Sequence, residues 1–321
     1  MDMGYLKFII FLIILNISFF APYKAYISNP PNVNIDTVDV ESGDSINVVI
    51  SKFSSHNLIN KIFLKLYMKA NQLTDFKVGE YSIKNKDMNE IISNMSNGAT
   101  ITHKITINEG MNIFQLEEII DNSYLENDCS FLKCLDKAFP FKEGILYPDT
   151  YFYKKGMKSS LILKKSHKKL NEYVDSFFID NDQINSLNKY QVLILSSIVE
   201  KEAGNEYEKP LIASVFLKRL SINMRLQADP TIIYGLLPNF DGDIKKSDIL
   251  NKNNQYNTYM INGLPPTPIS ISSKSSILAV IDGKPGDYLF FVADSPNSHF
   301  FSKTYDEHLN KIKEIGLDKW K

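Results

Sequence analysis

Two glutamates near the end of one predicted helix, Glu200 and Glu202, are the side chains of this sequence best suited to acid–base chemistry. In the string KYQVLILSSIVEKEAG, Leu195, Ile198 and Val199 stand seven, four and three residues before Glu202. An α-helix therefore places all four side chains on one face. Glu200 falls about 200° round the helix, on the side of two serines. We predict that Glu202 ends a buried apolar stripe and faces a cleft.

A carboxyl group among apolar side chains has its charged form disfavoured, so its pKa rises and it can stay protonated near neutral pH. A general acid that protonates a glycosidic oxygen needs this property. The alternative is that Glu202 caps the helix or forms a local ion pair, because the end of a helix often holds a glutamate. The segment alone leaves both interpretations open.

The next predicted helix, EKPLIASVFLKRLSINM, places Arg219 on the same face as Ile212, Val215 and Phe216. A guanidinium group on an apolar stripe needs a partner. That partner can be a carboxylate, a backbone carbonyl or a bound sugar, and the helix pattern does not choose among them.

Amide and aromatic side chains crowd the segments LQADPTIIYG and QYNTYMINGLPPTPIS, which follow the two helices. Amides pair with sugar hydroxyls while aromatic rings cover the apolar faces of a sugar ring, although each such residue alone is common in turns and cores. With Glu202 as the catalytic residue, we predict a substrate-binding set of Gln227, Asp229, Asn257, Tyr259, Arg219 and Glu200.

The N-terminal stretch FIIFLIILNISFFA, residues 8–21, carries no charge and is flanked by Lys7 and Lys24. It predicts a membrane segment at 1–26. The stretch is shorter than the ~20 residues that span a bilayer, so a signal peptide and a buried helix of a soluble domain remain alternatives. The Pro-Pro pair of YKAYISNPPNVN then predicts an extended linker over 27–35.

Two folded units are predicted beyond the linker. Residues 36–99 are predicted to form a strand, two helices, a strand and a third helix, with Ser45 or Asp44 as the cap of the first helix and Gly98 as the end of the last. Residues 100–321 begin with the alternating strand THKITI and continue into several amphipathic helices. The predicted fold class is α+β.

Composition excludes several kinds of function. Lys and Arg number 36 against 37 Asp and Glu, so the chain lacks the basic excess of a nucleic-acid-binding protein. We find no phosphate-binding glycine motif and no HExxH, and we predict neither a metal nor a cofactor. Cys129 and Cys134 would be too far apart to form a disulfide if they lay on a helix, but they could form one in a loop. The simpler expectation is that both are buried free thiols.

Several long strings are similar to the MltG, or YceG-like, family of endolytic murein transglycosylases. They are SSIVEKEAGNEYEKPLIASVFLKRLSINMRLQADPTIIYG, YNTYMINGLPPTPIS and YLFFVADSPNSHFFSKTYDEHLNKI, with looser matches in ITINEGMNIFQL and EGILYPDTYFY. The resemblance covers most of the chain beyond the anchor. Ala203, Thr267 and Leu309 depart from frequent family residues, which puts local contacts in doubt.

The resemblance implies a single-pass inner-membrane protein with its bulk in the periplasm. It implies a LysM-like subdomain, followed by a catalytic domain with a lytic-transglycosylase-like helical core. The implied partners are peptidoglycan strands and peptidoglycan synthases, the penicillin-binding proteins. It also selects Glu202 as the catalytic glutamate and Gln227 as a residue that lines the sugar cleft.

The implied reaction cleaves the β-1,4 bond between N-acetylmuramic acid and N-acetylglucosamine, leaves 1,6-anhydro ends, and limits strand length during wall synthesis. Glu202 serves as both acid and base because the substrate supplies the nucleophile. His299 and His308 are expected to be structural or hydrogen-bonding groups. Two other functions remain open: a muramidase-type hydrolase with a second carboxylate such as Asp229, and a non-catalytic wall-binding scaffold.

Overall fold

The computed structural model describes residues 3–54, 57–135 and 139–316. The ends of two predicted ranges, 1–26 and 100–321, therefore lie outside the described residues. The chain divides into two compact units, one of Met1–His103 with Phe152–Met157 and one of Lys104–Tyr151 with Lys158–Lys321. Both combine helices with short strands, which confirms the mixed α+β class.

The N-terminal segment is helical from Met3 to Ser28: α1 (Met3–Leu15), a π-helical turn (Asn16–Phe20) and α2 (Ala21–Ser28). Its most apolar window has a mean hydropathy of 2.1. At 1.5 Å per residue the helix is about 39 Å long, which exceeds the ~30 Å hydrocarbon core of a bilayer. The helix is therefore long and apolar enough to cross a membrane.

The first unit has the predicted order of strand, helix, helix, strand and helix. Its elements are β1 (Thr37–Val40), α3 (Ile46–Ser51), α4 (Leu58–Ala70), β2 (Gly79–Ser82) and α5 (Met88–Asn97). The two strands pair antiparallel, with Val38 opposite Tyr81. Ser45 caps α3 as predicted, and Gly98 ends α5 in the left-handed conformation. The helices and strands share one core, which includes Ile50, Phe53, Leu64, Ile91 and Met95.

The second unit holds most of the helices. Its elements are most of β3 (His103–Ile107), α6 (Ile113–Asp121), most of β4 (Asp149–Tyr153), α7 (Ser159–Asp175), α8 (Lys189–Glu202), α9 (Lys209–Ser221), α10 (Asp229–Leu236), α11 (Lys246–Ile249), α12 (Lys274–Ile281), β5 (Phe290–Ser295), β6 (Ser298–Ser302) and α13 (Tyr305–Glu314). β3 pairs with β4, and β5 with β6. Helices α8, α9 and α12 pack against one another in the core.

Cys129 and Cys134 form a disulfide, so the expectation of two free thiols is wrong. The segment is not a continuous helix: a short 3₁₀ turn, Ser130–Leu132, bends the chain and leaves the two Cα atoms 5.0 Å apart. That separation lies within the range a disulfide requires.

Gly144 shows how tightly the second unit is packed near its prolines. It has a φ of +67°, and a Cβ built there would lie 2.6 Å from the Cβ of Pro268 and 2.7 Å from the carbonyl oxygen of Ser270. Both contacts are shorter than van der Waals distances, and the conformation itself disfavours an L side chain. Only glycine fits this position without a shift of its neighbours.

We expect Gly144→Ala to lower the free energy of unfolding by about 2 to 4 kcal/mol, from backbone strain plus overpacking. Gly110→Ala is the matched control, because Gly110 has a similar φ of +73° but its nearest neighbour, Lys201, lies 3.9 Å away. The control should lose only about 1 kcal/mol. Equal losses in chemical denaturation would contradict the packing argument.

Candidate active site

Glu202 is the last residue of α8 and lies where a buried helix meets a cleft. Leu195, Ile198 and Val199, the three apolar residues predicted to share its face, are fully buried. The helix stops because Ala203 is extended, with φ −70° and ψ 124°, although its N–H still donates to the Val199 carbonyl. Glu202 itself is half-buried. The predicted end of the apolar stripe is confirmed.

The cleft has a volume of about 380 Å³ and draws its walls from several elements of the second unit. Its lining residues are Glu202, Arg219, Gln227, Asp229, Tyr259, Phe290, Phe291, Val292, Ala293, His299, Tyr305 and His308. The size is typical of a small-ligand pocket, although a glycan strand needs an open groove. Two carboxyl groups, those of Glu202 and Asp229, thus meet amide, phenol, imidazole and phenyl groups in one concavity.

The charge state of Glu202 follows from its surroundings. Burial and, to a smaller extent, the negative charge of Asp229 raise the pKa of its carboxyl, and the Arg219 guanidinium opposes them; the net value is about 8. The C-terminal end of a helix also carries partial negative charge, which disfavours a carboxylate there. Glu202 is therefore protonated at neutral pH and can donate that proton.

Arg219 has two roles that the sequence left as alternatives. Its Nε donates to the carbonyl of Leu289 at 2.7 Å, and its Nη1 donates to the carbonyl of Leu226. The side chain is buried, and its guanidinium lies 5.5 Å from the centre of the Phe290 ring. Burial lowers its pKa to about 10, so it remains a cation at neutral pH. Arg219 thus fixes backbone segments and supplies positive charge beside Glu202.

Gln227, Asp229 and Tyr259 lie together at the rim of the cleft. Gln227 is exposed and has a φ of 49°, a conformation that side-chain-bearing residues seldom adopt. Its N–H donates to the carbonyl of Thr258 at 3.2 Å. Asp229 begins α10, and its Oδ1 accepts a 2.7 Å hydrogen bond from the Tyr259 hydroxyl. This hydrogen bond joins the start of α10 to the loop that carries Tyr259, beside Glu202.

Residues 38–314 match the model of the YceG-like family. The chain belongs to this family. It is 31% identical to the endolytic murein transglycosylase of Bacillus subtilis (strain 168) over 305 residues, which cover 86% of this chain and 83% of that protein. The endolytic murein transglycosylase of Streptococcus pneumoniae serotype 2 is 24% identical, over 96% of this chain and 64% of that protein.

A crystal structure of a putative YceG-like protein from Listeria monocytogenes is similar as well. It superposes with a TM-score of 0.56 at 29% identity, and the match covers 85% of this chain and 97% of that one. The family resemblance of the sequence strings is therefore confirmed, and the similarity extends to the fold of a solved YceG-like structure.

Two predicted substrate-binding residues of the YceG-like chain have structural partners instead. The Glu200 carboxylate accepts hydrogen bonds from the N–H of Ser273 at 2.9 Å and the hydroxyl of Ser276 at 2.6 Å, and it lies 3.4 Å from Lys209 Nζ. Glu200 thus joins α8 to the start of α9 and of α12. Glu200 was predicted to bind substrate; its carboxylate is engaged by these helices, and Glu200 is not among the described residues that line the cleft.

Asn257, another predicted substrate-binding residue, is likewise held by groups of the protein. Its side chain is fully buried, and its Nδ2 donates to the carbonyls of Asp248, Ile249 and Asn251 at 3.0 to 3.1 Å. Its Oδ1 accepts from the N–H of Tyr259. With its amide group engaged on both sides, Asn257 positions the Tyr259 loop and does not line the cleft.

Two histidines of the YceG-like string SPNSHFFSKTYDEHLNKI line the same cleft as Glu202. His299 Nδ1 lies 2.8 Å from Glu208 Oε2, while its N–H donates to Oε1 of the same carboxylate. His308 stacks on Phe290, and burial lowers its pKa. Both were expected to be structural or hydrogen-bonding groups. Their place in the cleft was not predicted, because β6 with His299 and α13 with His308 lie far from α8 in the sequence.

Substituting the two glutamates of α8 should change stability in opposite directions. We expect Glu200→Gln to lower the free energy of unfolding by about 2 to 3 kcal/mol, because Lys209 is buried and loses a charge partner. We expect Glu202→Gln to raise it at pH 8.5, because the substitution removes a carboxylate whose charged form is disfavoured.

The sign of the second effect depends on pH. The pKa of Glu202 is raised from 4.5 to about 8, so the stability of the protonated form is lost as pH rises through that window. The advantage of Glu202→Gln should therefore grow between pH 4.5 and pH 8. Chemical denaturation at pH 4.5, 6.5 and 8.5 measures it. A variant less stable than wild type at pH 8.5 would contradict the assigned environment.

Proposed function

We propose that this chain is a lytic transglycosylase that cuts peptidoglycan glycan strands, with Glu202 as its acid and base. The observation that carries the proposal is the half-buried carboxyl group of Glu202, protonated at neutral pH, in a cleft lined by amide, phenol and aromatic groups. The relatives named endolytic murein transglycosylase support the same substrate and reaction class.

In this mechanism Glu202 first donates its proton to the oxygen of the β-1,4 bond, and the bond to the muramyl C1 breaks. The 6-hydroxyl of the same muramyl residue then attacks C1, and the Glu202 carboxylate accepts the proton of that hydroxyl. A 1,6-anhydro ring forms, the carboxyl group is protonated again, and no water is consumed. Asp229 favours the protonated state before the first step, and Arg219 stabilises the carboxylate between the steps.

Gln227 and Tyr259 are suited to hold the sugar. The Gln227 amide stands exposed at the rim and can pair with hydroxyl or acetamido groups. The Phe290 ring and its neighbours on β5 can cover an apolar sugar face. Asp229 accepts the Tyr259 hydroxyl through Oδ1, and its other carboxylate oxygen can accept a hydrogen bond from a sugar hydroxyl.

The remainder of the proposal concerns location and partners. The N-terminal helix is proposed to cross the inner membrane once, with the rest of the chain on the periplasmic side. Residues 36–99 are proposed to be a LysM-like subdomain, which their order of β1, α3, α4 and β2 around one core supports. Cleavage beside membrane-bound peptidoglycan synthases would limit the length of nascent strands.

Purified sacculi digested with the full-length protein in detergent should release muropeptides with 1,6-anhydro ends, lighter by one water than reducing ends. Glu202→Gln should lower release by about 10²- to 10⁴-fold, the usual contribution of a general acid. Glu172→Gln is the control, because that glutamate is 68% exposed on α7. Mass spectrometry of the released muropeptides distinguishes anhydro ends from reducing ends. Reducing ends would establish a hydrolase, and equal release by both variants would defeat the proposal.

Asp229→Asn should move the alkaline limb of the pH profile of kcat/KM from about 8 toward neutral pH, because it removes a negative charge that raises the pKa of Glu202. Tyr259→Phe is the matched control: it removes the hydrogen bond to Asp229 but keeps the charge, so the limb should stay near 8. Loss of activity by more than about 100-fold at every pH in Asp229→Asn would favour the two-carboxylate hydrolase instead.

A further inference from the structure

Helix α4 of the first unit has two apolar faces. Its inner face, with Phe63, Leu64, Tyr67 and Met68, is buried in the core of the unit. Its outer face exposes four large apolar side chains: Leu58 (74%), Ile59 (59%), Ile62 (44%) and Leu66 (43%). At helical spacing these four cover about 100° of the circumference. A contiguous exposed apolar stripe of this kind marks an interaction surface.

A row of lysines borders this outer stripe. Lys61, Lys65 and Lys69 follow each other at intervals of four, so they lie one above another along the helix. Among the residues that the structure describes, these three ammonium groups have no carboxylate partner within ion-pair distance. An apolar stripe beside free lysines is typical of a helix that lies in the interface of an anionic bilayer.

The membrane helix reaches α4 directly. The ring of Phe63 lies 5.5 Å from that of Phe19, 5.6 Å from that of Tyr23 and 6.1 Å from that of Tyr26. Phe19 belongs to the uncharged stretch 8–21, so a residue of the proposed span itself contacts α4. If that stretch crosses the bilayer, α4 lies at the depth where the hydrocarbon ends.

We propose that α4 lies flat in the outer surface of the bilayer beside the anchor. Its stripe is immersed at the acyl boundary, and its three lysines contact anionic lipid headgroups. This inference rests on the membrane span of the proposed function.

The experiment uses nitroxide labels on the full-length protein in phosphatidylglycerol-containing vesicles. Ile62→Cys and Leu66→Cys are labelled separately, without reductant, so that the disulfide-bonded Cys129 and Cys134 stay unreactive. Leu161→Cys, at a leucine 58% exposed on α7, is the reference for an exposed leucine. The spin relaxation of each nitroxide by oxygen, which dissolves in lipid, is compared with its relaxation by a water-soluble nickel chelate.

We expect labels at positions 62 and 66 to show an oxygen-to-nickel ratio several-fold above the reference. Replacing Lys61, Lys65 and Lys69 by Gln should weaken the interfacial state by about fivefold per lysine in anionic vesicles, and much less in neutral ones. Labels as accessible to nickel as the reference would overturn the proposal for α4 alone. Broadening between labels that vanishes on dilution with unlabelled protein would also overturn it, because a second copy would then cover the stripe.

Extraction of the protein from the vesicles by alkaline carbonate would overturn the membrane span, and the proposal for α4 with it. The sacculus digestion does not depend on that result, since it is carried out in detergent. Failure of the span is thereby distinguished from failure of the catalytic assignment.

Discussion

The carboxyl group of Glu202 is held where its charge is disfavoured, and the elements of the second unit are arranged around that constraint. The apolar residues on the same face of α8 are buried, and the helix ends at Glu202 itself. Asp229 and Arg219 then act on its pKa in opposite directions. An acid that must later act as a base needs this balance, since either charge alone would stabilise one protonation state too strongly.

The position of Glu202 depends on its neighbour Glu200. Two residues earlier on the same helix, Glu200 accepts hydrogen bonds from Ser273 and Ser276 at the start of α12 and lies beside Lys209 at the start of α9. These contacts fix the last turn of α8 from the side away from the cleft. The two carboxyl groups thus have different roles. Glu200 is paired with fixed partners and holds the helix in place, whereas Glu202 has no such partners among the described residues.

Helical periodicity was enough to predict which glutamate faces the cleft, because Leu195, Ile198 and Val199 set the direction of the buried stripe. The same kind of argument predicted the order of elements in the first unit and the caps at Ser45 and Gly98. These features depend on residues close in sequence. Local spacing, propensity and capping chemistry act within a turn or two of the chain, so a single sequence contains them.

Features that depend on distant pairing could not be predicted in the same way. The Asn257 amide donates to three carbonyls at and just beyond the end of α11, and no pattern in the sequence distinguishes that amide from the exposed one of Gln227. His299 reaches the cleft only because β5 and β6 pair as a hairpin and Glu208 accepts from it. The disulfide could not be predicted from the spacing of Cys129 and Cys134, because it depends on the bend that Ser130–Leu132 introduces between them.

A raised pKa by itself would not have identified the site, as Glu143 demonstrates. Burial raises the pKa of that carboxyl to about 7, yet it accepts from the N–H groups of Ile113 and Gly144 and from the hydroxyl of Tyr234. Every one of these donors belongs to the protein, and the group lies outside the lining of the cleft. What separates Glu202 from Glu143 is that no protein donor satisfies Glu202 in the described chain, while a concavity stands open beside it. A buried carboxyl with its partners in place maintains the fold; one that faces an open cleft can exchange its proton with a substrate.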